Sequence, residues 1–225
     1  MPRRTPLVLA RLAIPVAILV GIGIHNLSPG AVAASTAVVK PVGTPEQVAL
    51  FNDLPKPPSG STKWTNAQQE TLRGVLTFDQ TVDAYFEPSA QATAMTAEKT
   101  RGLQYSVRVN WTTEDGDNYV EAFILHYATP AGALDFYQGQ LKVNAAHYDT
   151  TGGGTVPGAV NSKLLVKGEP DTDGNDAAQG WAVAGANVIS IYSLSPDAPA
   201  VSADTALMSA EYQALCGAAG CTSAP

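Results

Sequence analysis

Acid–base chemistry is sought first at histidine, because its ordinary pKa lies closest to neutrality. Beyond the N-terminal leader there are two, His126 and His147. His126 stands in an apolar run, Tyr119 to Tyr127. If the preceding turn pairs residue 110 with 122, His126 shares a face with Arg108 and Asn110 and lies opposite Ser106. A general base there needs a nucleophile and an orienting acid, and no Ser-His-Asp spacing supplies them. The favoured role is a hydrogen-bonded structural histidine. His147 falls in a loop and reads as a surface residue.

Metal chemistry has one weak candidate. Asp171, Asp173, Asn175 and Asp176 place oxygens in an acidic stretch. The glycine and the distal glutamate of a calcium loop are replaced by Asp176 and Ala182. A solvent-fed cation site competes here with a charged hairpin tip that stays soluble. The same choice holds for Glu114, Asp115 and Asp117. Thr151-Gly152-Gly153-Gly154-Thr155 lacks the Lys-Ser/Thr of a phosphate loop, so Gly152 to Gly158 reads as a mobile loop and the rim of a cleft. Trp64, Trp111 and Trp181 are core or cleft-wall aromatics. Trp111, Trp181, Arg108 and His126 are the candidate ligand-binding residues. No cofactor is expected. Cys216 and Cys221, the two cysteines, are expected to form a small disulfide ring in an exported protein.

The elements that hold these residues are legible from periodicity. From Gln104 to Trp111 apolar and polar residues alternate, with Tyr105, Val107, Val109 and Trp111 on one face. Thr113 to Asn118 supplies a turn, and Tyr119 to Tyr127 reads as a strand covered on both faces. Thr129 and Pro130 start a helix whose inner stripe is Ala133, Leu134, Phe136, Tyr137 and Leu141. Upstream, Thr44 to Gln47 has the capping-box pattern. Gly74 to Thr77 is a short strand or turn, and the helical segment Asp79 to Gly102 is interrupted at Pro88. Downstream come a strand at Ser162 to Val166 and a hairpin of Gly180 to Val183 with Asn187 to Leu194. Ser202 is expected to cap a last helix with Leu207, Met208, Tyr212 and Leu215 inward. The fold class is α+β, a mainly antiparallel sheet packed by helices, with two related strand-hairpin-helix halves as a further expectation.

Three of the 13 basic residues, Arg3, Arg4 and Arg11, precede the apolar run Leu12 to Ile24, and Ala31-Val32-Ala33 follows with the small-x-small pattern of a cleavage site. Thirteen residues at about 1.5 Å each fall short of a ~30 Å hydrocarbon core. Residues 1–33 therefore read as a signal peptide, with an uncleaved anchor as the alternative. Residues 34–62 read as a spacer with a short helix, 63–215 as an α+β domain, and 216–225 as a disulfide-tied tail. Without the leader the chain carries 10 basic against 20 acidic residues, a net charge of −10. An acidic body of that kind excludes nucleic acid as a partner through bulk electrostatics, and membrane contact would run only through an uncleaved N-terminal helix.

The stretches FDQTVDAYF, RGLQYSVRVNW, TEDGDNYVEAFILHYATPAGALDFYQ and GWAVAGANVISIYSLSP resemble exported actinobacterial α+β domains. They are similar in plan to the mycobacterial LpqN lipoproteins and to the extracellular sensor domains of some receptor kinases. The resemblance spans roughly residues 64–215 and implies a Mog1- or PsbP-like sandwich. It carries no shared catalytic residues. The resulting expectation is a non-catalytic exported cell-envelope protein that binds a protein partner or a small ligand. The alternatives are a hydrolase-like enzyme using His126 and a membrane-anchored structural subunit of an envelope complex.

Overall fold

Strands β2 (Leu103–Thr112) and β3 (Tyr119–Tyr127) form the hairpin on which the sheet grows. The Thr113 N–H donates to the Asn118 carbonyl at 2.9 Å, closing its turn. The computed structural model describes residues 42–61, 73–113, 118–149, 152–170, 174–217 and 221. The leader, Trp64, Glu114, Asp115, Asp117, Asp171 and Asp173 lie outside the described residues. Among the described residues no helix is long and apolar enough to cross a membrane.

The fold is α+β. Among the described residues seven strands make one antiparallel sheet in the order β1-β2-β3-β7-β6-β5-β4. The remaining strands are β1 (Gly74–Thr77), β4 (Tyr148–Asp149), β5 (Ser162–Lys167), β6 (Asp176–Ala184) and β7 (Asn187–Ser195). Helices α1 (Pro45–Asn52) and α5 (Val201–Cys216) lie on one face, and α2 (Phe78–Tyr85), α3 (Gln91–Arg101) and α4 (Pro130–Asn144) on the other. The two hairpins, β2–β3 and β6–β7, stand side by side through the β3–β7 ladder, and each is followed by a helix. Those two helices, α4 and α5, cover opposite faces.

Local chemistry sets the helix ends. Thr44 with Gln47 and Thr77 with Gln80 form reciprocal capping boxes for α1 and α2, and the Gly132 N–H donates to the Thr129 hydroxyl at the start of α4. Gly102 stops α3 in the left-handed region at φ 83°, which a side chain would resist. At α5 the structure departs from expectation. Ala200 holds the cap position without a side-chain hydrogen bond, so Ser202 lies inside the first turn. Leu207 and Leu215 are only half-buried, and Asp204 and Glu211 share the inner stripe with Met208 and Tyr212.

The segment expected to rim a cleft instead covers a strand edge. Leu164 of β5 donates its N–H to the Gly154 carbonyl at 2.8 Å. A Cβ on Gly153 would stand 1.7 Å from the Leu164 carbonyl oxygen, so the loop lies there only with glycine at that position. Val156 and Ala159 then enter the core. Covering β5 in this way, with the two-residue β4 alongside, blunts an edge that would otherwise template pairing with another chain.

Each face has its own core. Under α1 and α5 lie Val107, Trp111, Ile124, Ile189 and Ile191, and under α2, α3 and α4 lie Phe123, Leu125, Tyr127, Phe136 and Trp181. In the second core the Trp181 Nε1–H donates to the Tyr85 hydroxyl at 2.8 Å, which is also bonded to the Ser190 hydroxyl at 2.9 Å. Tyr85→Phe leaves the indole N–H and the serine unpaired in the interior. We expect a loss of about 1–3 kcal/mol in urea unfolding, and an unchanged midpoint would mean that water reaches these groups.

Candidate functional site

The four residues singled out as ligand-binding candidates do not converge. Trp111 is 2% exposed and packs under α1 and α5, whereas Trp181 is fully buried on the opposite face with its N–H satisfied. A surface groove of about 780 Å³ is lined by Phe78, Asp79, Met95, Thr96, Lys99, Thr100 and Leu103, and neither tryptophan reaches it. Arg108 shares the face of Trp181, two strands beyond Ser190 across the sheet.

His126 lies on the other face. The hairpin pairs Asn110 with Glu121, one residue from the expected register, so His126 meets Tyr105 and Ser106 meets Leu125. A one-residue slip transfers every side chain of a strand to the opposite face. The His126 ring sits 4.7 Å from that of Tyr105, and its Nδ1 is bonded to the Asn187 side-chain oxygen at 2.8 Å. Neither neighbour is the serine or cysteine nucleophile, nor the carboxylate, that a hydrolytic triad needs. Of the acidic stretch, Asn175 immediately precedes β6 and Asp176 opens it, and the described residues hold no group of three or more metal-ligating His, Cys, Asp or Glu. Cys216 and Cys221 are joined as a disulfide.

A different constellation forms on the face of α2, α3 and α4. Asn110, Glu121, Tyr192 and Gln179 occupy successive register positions on β2, β3, β7 and β6, making one polar row across four strands. Arg108, in the row below, donates from Nε to Glu121 Oε1 at 2.5 Å and lies over the Phe123 ring at 5.3 Å. Asn110 donates to the Tyr119 hydroxyl, and Arg73 donates to the Asn110 side-chain oxygen at 2.5 Å. Burial pushes the Glu121 carboxyl up, and Arg108 holds part of that rise back.

Three polar atoms of this row have no hydrogen-bond partner: Glu121 Oε2 and both the oxygen and nitrogen of the Gln179 amide. Both side chains are fully buried. Tyr192 of the row also belongs to a small apolar cluster with Ala177 and Leu194, against which Tyr119 and Tyr148 pack, built from strand residues alone. Burial raises the Tyr119 hydroxyl and pushes that of Tyr148 up to about 12, so both phenols stay protonated. The row offers hydrogen-bonding groups and no nucleophile–base pair. Sequence reasoning passed over Glu121 and Gln179. The available signal was a lone Glu in YVEAFILHY and a lone Gln in AAQGWAVA, each inside a strand too apolar to leave it solvated.

No family model matches the chain, and no curated protein is similar to it. Among solved structures it is similar to the extracellular domain of PknH from Mycobacterium tuberculosis, at 12% identity and a TM-score of 0.41, covering 75% of this chain and 90% of that one.

Breaking the Arg108–Glu121 pair strands a buried charge, so Glu121→Leu alone is expected to lose about 3–5 kcal/mol in chemical unfolding. Replacing both, as Arg108→Met with Glu121→Leu, is expected to recover most of that loss. Equal losses in the single and double variants would show that the pair is not sealed from water.

Proposed function

We propose that this chain is an exported, non-catalytic domain of the cell envelope that binds a small neutral molecule at the polar row. One observation carries the reading: the Gln179 amide is fully buried with neither its donors nor its acceptor engaged. An unpaired amide in a protein interior costs about 1–3 kcal/mol, and buried polar groups are almost always paired. A ligand that both donates and accepts hydrogen bonds would satisfy Gln179 and the free oxygen of Glu121 together. The tyrosines beside the row supply the apolar wall that such sites need. The cations here, Arg108 and Arg73, are already engaged by Glu121 and Asn110, and the body of the chain is acidic, which favours a neutral ligand over an anion.

Export is supported by the leader pattern and by the Cys216–Cys221 disulfide, a bond that persists in oxidising compartments. Cleavage after Ala33 would give a mature chain beginning at Ala34. N-terminal sequencing of the secreted protein checks this, and an intact leader would restore the anchored form. The hydrolase alternative finds no support at His126, whose neighbours are Asn187 and Tyr105.

The binding reading is tested by thermal shift with millimolar neutral sugars, amides and nucleosides. One class is expected to raise the Tm of the wild-type protein. Gln179→Leu is expected to be more stable than wild type by about 1–3 kcal/mol and to lose the response. A wild-type protein stabilised by none of these compounds would overturn small-ligand binding and leave contact with an envelope protein.

A further inference from the structure

Among the described residues four carboxylates are buried to 1% exposure or less, and they fall into two kinds. Glu98 accepts from Arg101 and from the Tyr127 hydroxyl, and Glu121 accepts from Arg108. Asp204 and Glu211, both on α5, have no cation paired with them among the described residues. Asp204 Oδ2 accepts from the Ser193 hydroxyl at 2.6 Å, while its Oδ1 and both oxygens of Glu211 have no partner. The two residues are seven apart, two turns along one face of the helix, about 10 Å apart along its axis. Met208 stands between them and rests on Gly180, where a Cβ would come 2.5 Å from the methionine sulfur.

Among the described residues, the elements packed against α5 bring no opposite charge to these carboxyls, and the Ser193 hydroxyl is the one hydrogen bond they supply. Those elements are β5, β6 and β7. On the face they present, the titratable group is Asp176 at the start of β6, itself an acid. Lys163 and Lys167 of β5 fall on the opposite face, in register with Trp181 and Tyr148. The loop 152–161, whose Gly158 carbonyl accepts from Tyr212, has no titratable residue. Farther along the same sheet face stand His126, bonded to Asn187, and Tyr105. Helix α1 on that face brings Glu46, and Asp53 follows it. Lys56, beyond α1, is exposed.

We propose that α5 is a pH-sensitive strap: with both carboxyls protonated it lies on the sheet, and their ionisation as pH rises drives it off. Its departure uncovers the apolar face of β5, β6 and β7. The disulfide makes no covalent link to the sheet, because it joins Cys216 at the end of α5 to a residue five positions on, and both cysteines only pack against the core. Helix α5 also has no side-chain cap to hold its start. Burial supports the direction, raising Asp204 to about 6 against the Ser193 bond and Glu211 well above the ordinary carboxylate range. A carboxyl raised in the packed state binds protons that the released state gives up. The hold is therefore complete below the ordinary carboxylate range and is lost as pH rises through about 6 and beyond.

Amide hydrogen exchange on the full mature chain tests the strap, with α4 as the internal reference. Between about pH 5 and about pH 8, after correction for intrinsic rates, protection of α5 relative to α4 is expected to fall about tenfold or more. Asp204→Asn with Glu211→Gln is expected to keep that ratio constant. A wild-type ratio that does not change with pH overturns the proposal, and so does a double variant that keeps the wild-type dependence. If the double variant fails to fold, the wild-type ratio decides alone.

Discussion

A sheet covered on both faces gives the side chains of its central strands no route to water. Every buried polar group in β3, β6 and β7 must then find a partner inside or remain without one. Most succeed. Trp181, Tyr85 and Ser190 satisfy one another, Thr81 bonds Ser106, and Arg108 answers Glu121. The arrangement is conservative, since hydrophobic replacements of similar volume would often be at least as stable as a buried ion pair.

The exceptions are concentrated in two places, one on each face. On the face of α2, α3 and α4 the unpaired atoms belong to Gln179 and Glu121, next to a tyrosine cluster made by strands. On the other they belong to Asp204 and Glu211, under the last helix. The chemistry differs. An amide cannot change its charge to suit its surroundings, so Gln179 keeps its donors and acceptor unpaired in the interior. A carboxyl can take up a proton, and burial pushes both Asp204 and Glu211 toward the neutral form. The first fact supports a ligand and the second a dependence on pH.

Much of the framework was legible in the chain itself. Period-two alternation located β2, an unbroken apolar run located β3, and Thr-Pro and capping-box patterns located the starts of α1 and α4, because those signals are local. The register of the β2–β3 hairpin was not local. It follows from the turn closed between Thr113 and Asn118, and the irregularity between Leu103 and Tyr105 changes it again at the far end. One residue of error was enough to put His126 on the wrong face and to hide the pairing of Asn110 with Glu121. The polar row was beyond reach for a stronger reason. Its four members come from strands whose order across the sheet, β2-β3-β7-β6, no pattern within a strand encodes.

The most direct test of this account is a carboxyl-detected NMR titration of Asp204 and Glu211 in the folded protein. If the sheet is sealed on the α5 face, Asp204 titrates near 6 and Glu211 well above the ordinary carboxylate range. Midpoints near about 4 for both would place these acids in water and contradict the sealed interior on which the rest is built.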